Sequence, residues 1–115
     1  MPARSIGRVK GRSAFQALRT SRRRGSAGPV RITFVGGVEF DRPCLAFALN
    51  RKVGGAVQRN RLRRRLRAIA EEFAPQLAPG AYLIAASSEA VTLPYGELRA
   101  NVSAAIAATM QQVRT

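Results

Sequence analysis

Four apolar residues recur at helical spacing in a segment crowded with arginine, and this pattern constrains the fold more than any other. Leu62, Leu66, Ile69 and Phe73 stand at positions i, i+4, i+7 and i+11. At about 100° per residue they fall within an arc of about 60° and form one stripe. The segment 54–73 is therefore predicted to be a helix that packs on a core through this stripe.

The same helix carries six arginines between Arg59 and Arg67. They occupy its N-terminal half, where the helix dipole disfavours each cation by on the order of 0.3–1 kcal/mol. Like-charge pairs four residues apart weaken the helix further. The exposed band predicted from helical geometry comprises Asn60, Arg63, Arg64 and Arg67 opposite the stripe, with Arg59 and Arg65 beside it. We expect a polyanionic partner to offset this unfavourable placement.

The charge of the whole chain supports such a partner. The 115 residues suit a single domain, and the net charge is +14. All but two of the 20 basic residues precede residue 68, whereas four of the six acidic residues follow it. Nearly all the basic residues are arginine, which suits phosphate contacts and base stacking better than lysine does. A strongly basic N-terminal half therefore favours nucleic acid as the partner.

Other features bear on location. The chain has one cysteine, Cys44, so it has no internal disulfide, which fits a reducing cytoplasm. The N-terminal residues lack the apolar core of a secretory signal. The longest apolar run, near "AYLIAA", is too short to span a bilayer, and there is no Trp to anchor a membrane surface. We expect a cytoplasmic protein with no membrane partner.

Helical and strand patterns alternate along the chain. Residues 1–12 are predicted to be a basic, flexible arm and residues 13–115 one domain, whose first helix starts near Ser13. "VRITFV" alternates as a half-buried strand, "AYLIAAS" reads as another, and "LPYGEL" opens a last helix. "SRRRGSAGP" is typical of a loop or of a short edge strand. Interleaved elements of this kind indicate an α+β or α/β fold.

The segment "CLAFALN" is predicted to be a central strand with two unlike faces. Leu45, Phe47 and Leu49 are bulky, whereas Cys44, Ala46, Ala48 and Asn50 are small. The small face is compatible with a shallow groove or with plain packing under the first helix.

Catalytic chemistry is scarce in this chain. It has no histidine, which excludes histidine-dependent triads and, with one cysteine, most zinc sites. Glu39 and Asp41 lie in a predicted turn, where acidic side chains are far more often solvated than bound to a metal. A metal role for them stays open. No glycine-rich phosphate loop is present. We expect no catalytic residue and no metal bound by the protein alone.

One long, ordered motif brings these features together. The run "LAFALNRKVGGAVQRNRLRRRLRAIAEEF" places a strand, a basic pair, a Val-Gly turn and Arg-Asn-Arg on a helix, in that order. It resembles the core signature of the bacterial ribonuclease P protein component. "SAFQALRTSRRRG" resembles the first helix of that family, with Phe15 at its aromatic position. The chain departs from the family at Arg19, where some members have a second aromatic, and at Ser87 and Ser88, where many have a basic residue.

The resemblance implies a fold, an activity and partners. The fold is an α/β sandwich of order αβββαβα, with a four-stranded sheet and a left-handed βαβ crossover. The protein joins a catalytic RNA that, with divalent metal ions such as Mg²⁺, removes the 5′ leader of precursor tRNA, and the protein alone is expected to be a monomer. The implied phosphate contacts are Arg51, Lys52, Arg59, Asn60, Arg61, Arg63, Arg64 and Arg67. The implied leader cleft contains Phe15, Arg31, Thr33, Ala46, Ala48 and Asn50, with Arg31 and Thr33 on the strand adjacent to "CLAFALN".

Three alternatives remain open from the sequence. A small basic ribosomal or ribosome-assembly protein would carry the same arginines without a leader groove. A DNA-binding module would need polar residues that contact base edges from an exposed helix, and Asn60 is only a weak candidate for such a residue. An enzyme in its own right is disfavoured by the missing histidines. Phe15 is compatible equally with base stacking and with an ordinary core position.

Overall fold

The structure is a computed structural model, and it describes residues 6–37 and 39–114. A short 3-10 turn, Ala74–Gln76, follows the second helix. The strands and helices are β1 (Gly7–Arg8), α1 (Arg12–Thr20), β2 (Arg23–Ala27), β3 (Val30–Val35), β4 (Pro43–Ala48), α2 (Ala56–Glu72), β5 (Gly80–Ala86), α3 (Glu89–Thr92) and α4 (Tyr95–Arg114).

The strands form one mixed sheet in the order β1-β4-β5-β3-β2. Strands β4 and β5 are parallel neighbours joined through α2, and β3 runs antiparallel to β5 on its other side. This confirms the predicted α+β sandwich, and the order αβββαβα is present with two additions, β1 before α1 and the four-residue α3 before α4. The sheet has five strands instead of four because β1 adds a two-residue parallel strand at the edge of β4. The left-handed sense of the βαβ crossover stays a prediction.

The two faces of the sheet bury separate cores. The larger core lies under α2 and α4, and it contains the predicted stripe of α2 together with Leu45 and Leu49 of the "CLAFALN" segment. The smaller core lies on the other face, where Leu18 of α1 packs with Ala46 and Ala81. The bulky and small faces of β4 are therefore separated as predicted. Ala46 is buried on the α1 face, whereas Ala48 is exposed.

The N-terminal segment differs from the expected arm. Residues 1–5 lie outside the described part of the chain. Ile6 is only 1% exposed and belongs to the larger core, and Gly7–Arg8 pairs with β4. The Val9 amide also donates to the Leu45 carbonyl at 3.0 Å. Two apolar side chains, Ile6 and Val9, hold this segment to the sheet in spite of its basic composition.

Two further boundaries refine the sequence prediction. Helix α1 begins at Arg12, one residue before Ser13, with Gly11 as its N-cap. The edge strand that the sequence left open within "SRRRGSAGP" is present as β2. It is an antiparallel neighbour of β3, and its pairing continues from Arg23 to Ala27.

Gly25 of β2 lets α4 approach the sheet closely, and replacing it by alanine is expected to destabilise the fold. A Cβ at Gly25 would collide with the Thr109 backbone nitrogen and would lie 2.6 Å from the Ala105 carbonyl oxygen. We expect Gly25→Ala to lower the free energy of unfolding by about 1–3 kcal/mol in denaturant titrations. Gly96→Ala is the matched control because a Cβ there meets nothing within 4 Å. Equal stability of the two variants would contradict this account of the packing.

Candidate nucleic-acid interface

A tight turn connects β4 to α2. The Asn50 side-chain oxygen accepts a hydrogen bond from the Lys52 amide at 3.0 Å. The Val53 amide donates a hydrogen bond to the Asn50 carbonyl, also at 3.0 Å. Gly54 has a φ of 159°, where a Cβ would lie 2.5 Å from the Gln58 side-chain oxygen. The turn leaves Arg51 and Lys52 exposed just before α2.

The arginines of α2 spread over both flanks of the helix, so the prediction of one exposed band needs correction. On a helix, Arg61 and Arg65 lie about 40° apart, whereas Arg63 lies about 160° from Arg61. Arg61 and Arg65 line a depression beside α4, and Arg63, Arg64 and Arg67 line another beside α1. The half-buried Arg59 has an enclosed Nε without a hydrogen-bond partner in the described part of the chain.

The α1–α2 depression lies along the edge of β4, beyond the point where β1 ends. Its volume is about 520 Å³. The side chains that line it come from β1, α1, β4 and α2: Arg8, Val9, Phe15, Leu45, Ala46, Phe47, Arg63, Arg64 and Arg67. Phe15 is 40% exposed, so its ring is accessible from this depression. An aromatic ring beside three or more arginines suits a phosphate-linked chain of bases.

The three α2 arginines of this depression differ in how firmly the protein holds them. Arg63 Nη1 donates to Asn60 Oδ1 at 2.7 Å, which fixes its direction. Arg67 Nη2 donates to the Ile6 carbonyl at 3.2 Å and lies 3.9 Å from Glu71 Oε2, four residues further along the helix. Arg64 is exposed. A surface ion pair is weak, so Arg67 can exchange it for a phosphate.

The expected leader cleft is only partly assembled in one place. Phe15 and Ala46 line the α1–α2 depression, and Ala48 lies exposed further along β4. The exposed Asn50 has its side-chain oxygen engaged in the turn described above.

Arg31 and Thr33 were expected on the strand adjacent to β4, and this expectation is wrong. Strand β5 lies between, so that Ala85 separates Ala48 from Arg31, and Leu83 separates Ala46 from Thr33. Thr33 is 8% exposed. Arg31 instead lines a separate depression of about 380 Å³ at the β2–β3 end of the sheet.

The α2–α4 depression was not predicted from the sequence. Its volume is about 670 Å³, and it is lined by Gln58, Arg61 and Arg65 of α2 and by the segment 91–95. Tyr95 is exposed here, whereas the other tyrosine, Tyr82, is buried. Partial burial and the Glu72 carboxylate raise the pKa of Tyr95 above its ordinary value. The sequence signal that could have found it is a tyrosine in the polar first turn of a helix.

Candidate metal ligands do not converge in the described residues. Within residues 6–37 and 39–114, no group of three or more His, Cys, Asp or Glu side chains could hold a metal ion. Burial raises the pKa of Tyr82, whose hydroxyl donates to the Ala78 carbonyl at 2.6 Å.

In the described part of the chain, no helix combines the length and the apolar character needed to cross a bilayer.

These features define a small, strongly basic α+β protein with arginine on both flanks of one helix. The chain belongs to the ribonuclease P protein family, since the model of the family described as Ribonuclease P matches residues 4–110. It is 38% identical over 100 residues to the "Ribonuclease P protein component" of a Synechococcus species, covering 83% of this chain and 75% of that protein. It is 35% identical over 97 residues to the component from Symbiobacterium thermophilum, covering 83% and 84%.

Solved structures support the fold. The chain is similar to the Staphylococcus aureus RNase P protein, with a TM-score of 0.73 at 18% identity, covering 87% of this chain and 92% of that one. It is also similar to the RNase P protein from Thermotoga maritima, with a TM-score of 0.72 at 18% identity, covering 84% and 91%. At this level of identity the similarity concerns the fold alone.

Proposed function

We propose that this protein is the protein subunit of ribonuclease P and that it holds the 5′ leader of precursor tRNA beside the catalytic RNA. Membership of the family implicates the chain in an RNA-cleaving ribonucleoprotein and implies ribonuclease P RNA as a partner. The observation that carries the leader proposal is the exposed ring of Phe15 in a depression that also contains Arg63, Arg64 and Arg67.

Each part of this depression suits single-stranded RNA. A leader base stacks on the ring of Phe15, and the neighbouring guanidinium groups contact the phosphates on either side. The small side chain of Ala46 leaves room at the edge of β4. Arg51 and Lys52 extend the basic surface from the turn before α2. Stacking and phosphate contacts are tolerant of base identity, which suits leaders of varied sequence.

The hydrolysis is assigned to the RNA subunit and to divalent metal ions such as Mg²⁺ held in the RNA-containing complex. The support is chemical: the chain has no histidine, and the described residues hold no candidate metal cluster. The protein binds and orients its partners, and as a free subunit it is a cytoplasmic monomer in this proposal.

The family match favours this function over that of a small ribosomal or ribosome-assembly protein. It equally disfavours a DNA-binding module. A leader-dependent interaction separates the proposal from both, because neither alternative distinguishes precursor from mature tRNA.

Reconstitution is the direct test. The purified protein is combined with a bacterial ribonuclease P RNA, and affinities for precursor tRNA and mature tRNA are measured in Mg²⁺. We expect the complex to cleave the precursor at the start of the mature sequence and to bind it more tightly than mature tRNA. RNA-free protein is expected to leave the precursor intact. Multiple-turnover cleavage by protein alone, or equal affinity for both RNAs, would contradict the proposal.

A further inference from the structure

Two exposed apolar side chains lie outside the leader cleft. The large hydrophobic residues exposed within the described ranges are Phe15, Val57 and Tyr95. Phe15 belongs to the α1–α2 depression, but the other two do not. Val57 is 82% exposed and stands one helical turn before Arg61 on the same side of α2. Tyr95 is 43% exposed in the α2–α4 depression.

The α2–α4 depression combines positive charge with an aromatic ring. Arg61 and Arg65 form part of its wall, and Asp and Glu are absent from the residues that line it. Arg61 is exposed, so its guanidinium is available to a ligand. The depression therefore attracts anions at one side and offers an aromatic surface at the other.

The ring of Tyr95 is held in place before any ligand arrives. Arg65 Nη2 donates to the Leu93 carbonyl at 2.7 Å, and the Arg65 Cζ lies 5.8 Å from the centre of the Tyr95 ring. The Tyr95 hydroxyl donates a hydrogen bond to Glu72 Oε2 at 3.3 Å. Arg99 Nε donates to Glu72 Oε1 at 2.9 Å and holds this carboxylate in place. A side chain ordered in this way loses little conformational entropy when a base stacks on it.

We propose that this depression binds an unpaired nucleotide of the catalytic RNA, whose base stacks on Tyr95 while Arg61 contacts its phosphate. The proposal rests on the proposed function and assigns to it a second RNA-binding site. Helix α2, about 10–12 Å across with its side chains, stands between this site and the α1–α2 depression. A leader strand seated on Phe15 does not reach Tyr95 without crossing the helix, so the ligand is a different RNA segment.

Two substitutions at one position separate stacking from structural support. Tyr95→Leu keeps an apolar side chain but removes the aromatic face, whereas Tyr95→Phe keeps the ring and removes the hydroxyl that meets Glu72. Each full-length variant is titrated with a bacterial ribonuclease P RNA, and its thermal melting is recorded. We expect Tyr95→Leu to weaken RNA binding by about 5- to 150-fold and Tyr95→Phe by less than about twofold. The precursor-to-mature tRNA preference of the reconstituted complex should change with neither.

The two proposals fail in distinguishable ways. If the unaltered protein does not bind the RNA, both are wrong. If it binds and a folded Tyr95→Leu variant binds equally well, only the Tyr95 site is wrong. An equal loss in the Tyr95→Phe and Tyr95→Leu variants also overturns the stacking proposal, because the hydroxyl contact then accounts for the effect.

Crosslinking identifies the occupant directly. The photoreactive residue p-benzoylphenylalanine is placed at position 95, and the complex with ribonuclease P RNA and precursor tRNA is irradiated. We expect a crosslink to the ribonuclease P RNA. A crosslink to the leader, to a second copy of the protein, or to no partner would overturn the assignment.

Discussion

Replacing Arg63, Arg64 and Arg67 together by glutamine is expected to weaken binding of the reconstituted complex to precursor tRNA by about 100-fold or more. Hydrogen bonds to charged groups contribute about 1.5–3 kcal/mol each, and all three residues line one RNA-facing depression. The dependence of log affinity on log salt should become shallower by roughly 0.7–0.9 for each phosphate that the variant no longer binds. Titrations of the reconstituted complex with precursor tRNA at several KCl concentrations measure both quantities.

A second triple variant controls for net charge. Arg22, Arg23 and Arg24 are also exposed, and glutamine at these positions removes the same charge from the segment before and within β2. Strand β2 is the edge of the sheet opposite β1, so this variant leaves the α1–α2 depression intact. Equal decreases in affinity in the two variants, or an unchanged salt slope in the α2 variant, would show that the depression is not a specific phosphate site.

The α2 substitutions should leave the fold in place. Leu62, Leu66 and Ile69 are buried on the opposite side of the helix and stay unchanged. Within the protein, the substitutions remove the exposed hydrogen bond from Arg63 to Asn60 and the weak surface pair of Arg67 with Glu71. They also remove the hydrogen bond from Arg67 to the Ile6 carbonyl, which contributes about 0.5–1.5 kcal/mol. Thermal melting of the variant therefore separates a small decrease in stability from the expected decrease in RNA affinity.

Local periodicity made part of the fold predictable. The apolar stripe of α2 follows from spacing alone because a residue that must be buried on a helix is confined to one direction. The two faces of β4 were predictable for the same reason, since successive side chains alternate across a strand. In both cases the information lies within about 20 residues of the chain.

Strand order could not be derived in this way. The position of β5 between β3 and β4 depends on pairing between segments distant in sequence, which leaves no local pattern. For this reason the prediction that Arg31 and Thr33 lie beside β4 is wrong. The two-residue strand β1 was missed for a related reason, because basic residues surround the apolar Ile6 and Val9 that hold it to the domain.

The surroundings of the α2 arginines could not be predicted from local sequence either. Helical geometry gives the direction of each side chain about α2, but it does not say which element stands beside each flank. Residues of β1, α1 and β4 border one flank of the helix and the segment 91–95 borders the other, so the arginines are divided between two depressions. Tyr95 acquires significance only through that packing, since it is 30 residues from Arg65 in the sequence.

Phe15 shows how a single structural observation changes a prediction. A phenylalanine near the start of an amphipathic helix is as compatible with a core position as with a binding role. In the structure Leu18 takes the buried position of α1, while Phe15 remains 40% exposed beside the arginines of α2. The accessible ring beside these guanidinium groups can stack a base whose phosphates they contact, which favours the stacking role.

Replacing Phe15 by alanine is therefore expected to reduce the preference of the reconstituted complex for precursor over mature tRNA by about 5- to 150-fold. The reason is the removal of one base-stacking interaction, which contributes about 1–3 kcal/mol. Affinities of one complex for the two RNAs give the preference directly, and the affinity of the protein for ribonuclease P RNA is measured in parallel. That second affinity should stay within about twofold, because the catalytic RNA is not expected to contact Phe15.

Phe15→Tyr supplies the matched control, since it preserves the ring and should preserve the preference. The variants at Phe15 and Tyr95 then form a crossed pair: one affects leader selection, and the other affects binding to the catalytic RNA. If Phe15→Ala instead weakens binding to precursor and mature tRNA equally, the ring contacts a part of the substrate other than the leader. If it weakens only the binding of ribonuclease P RNA, the α1–α2 depression belongs to the catalytic RNA, and the leader must follow another path across the sheet.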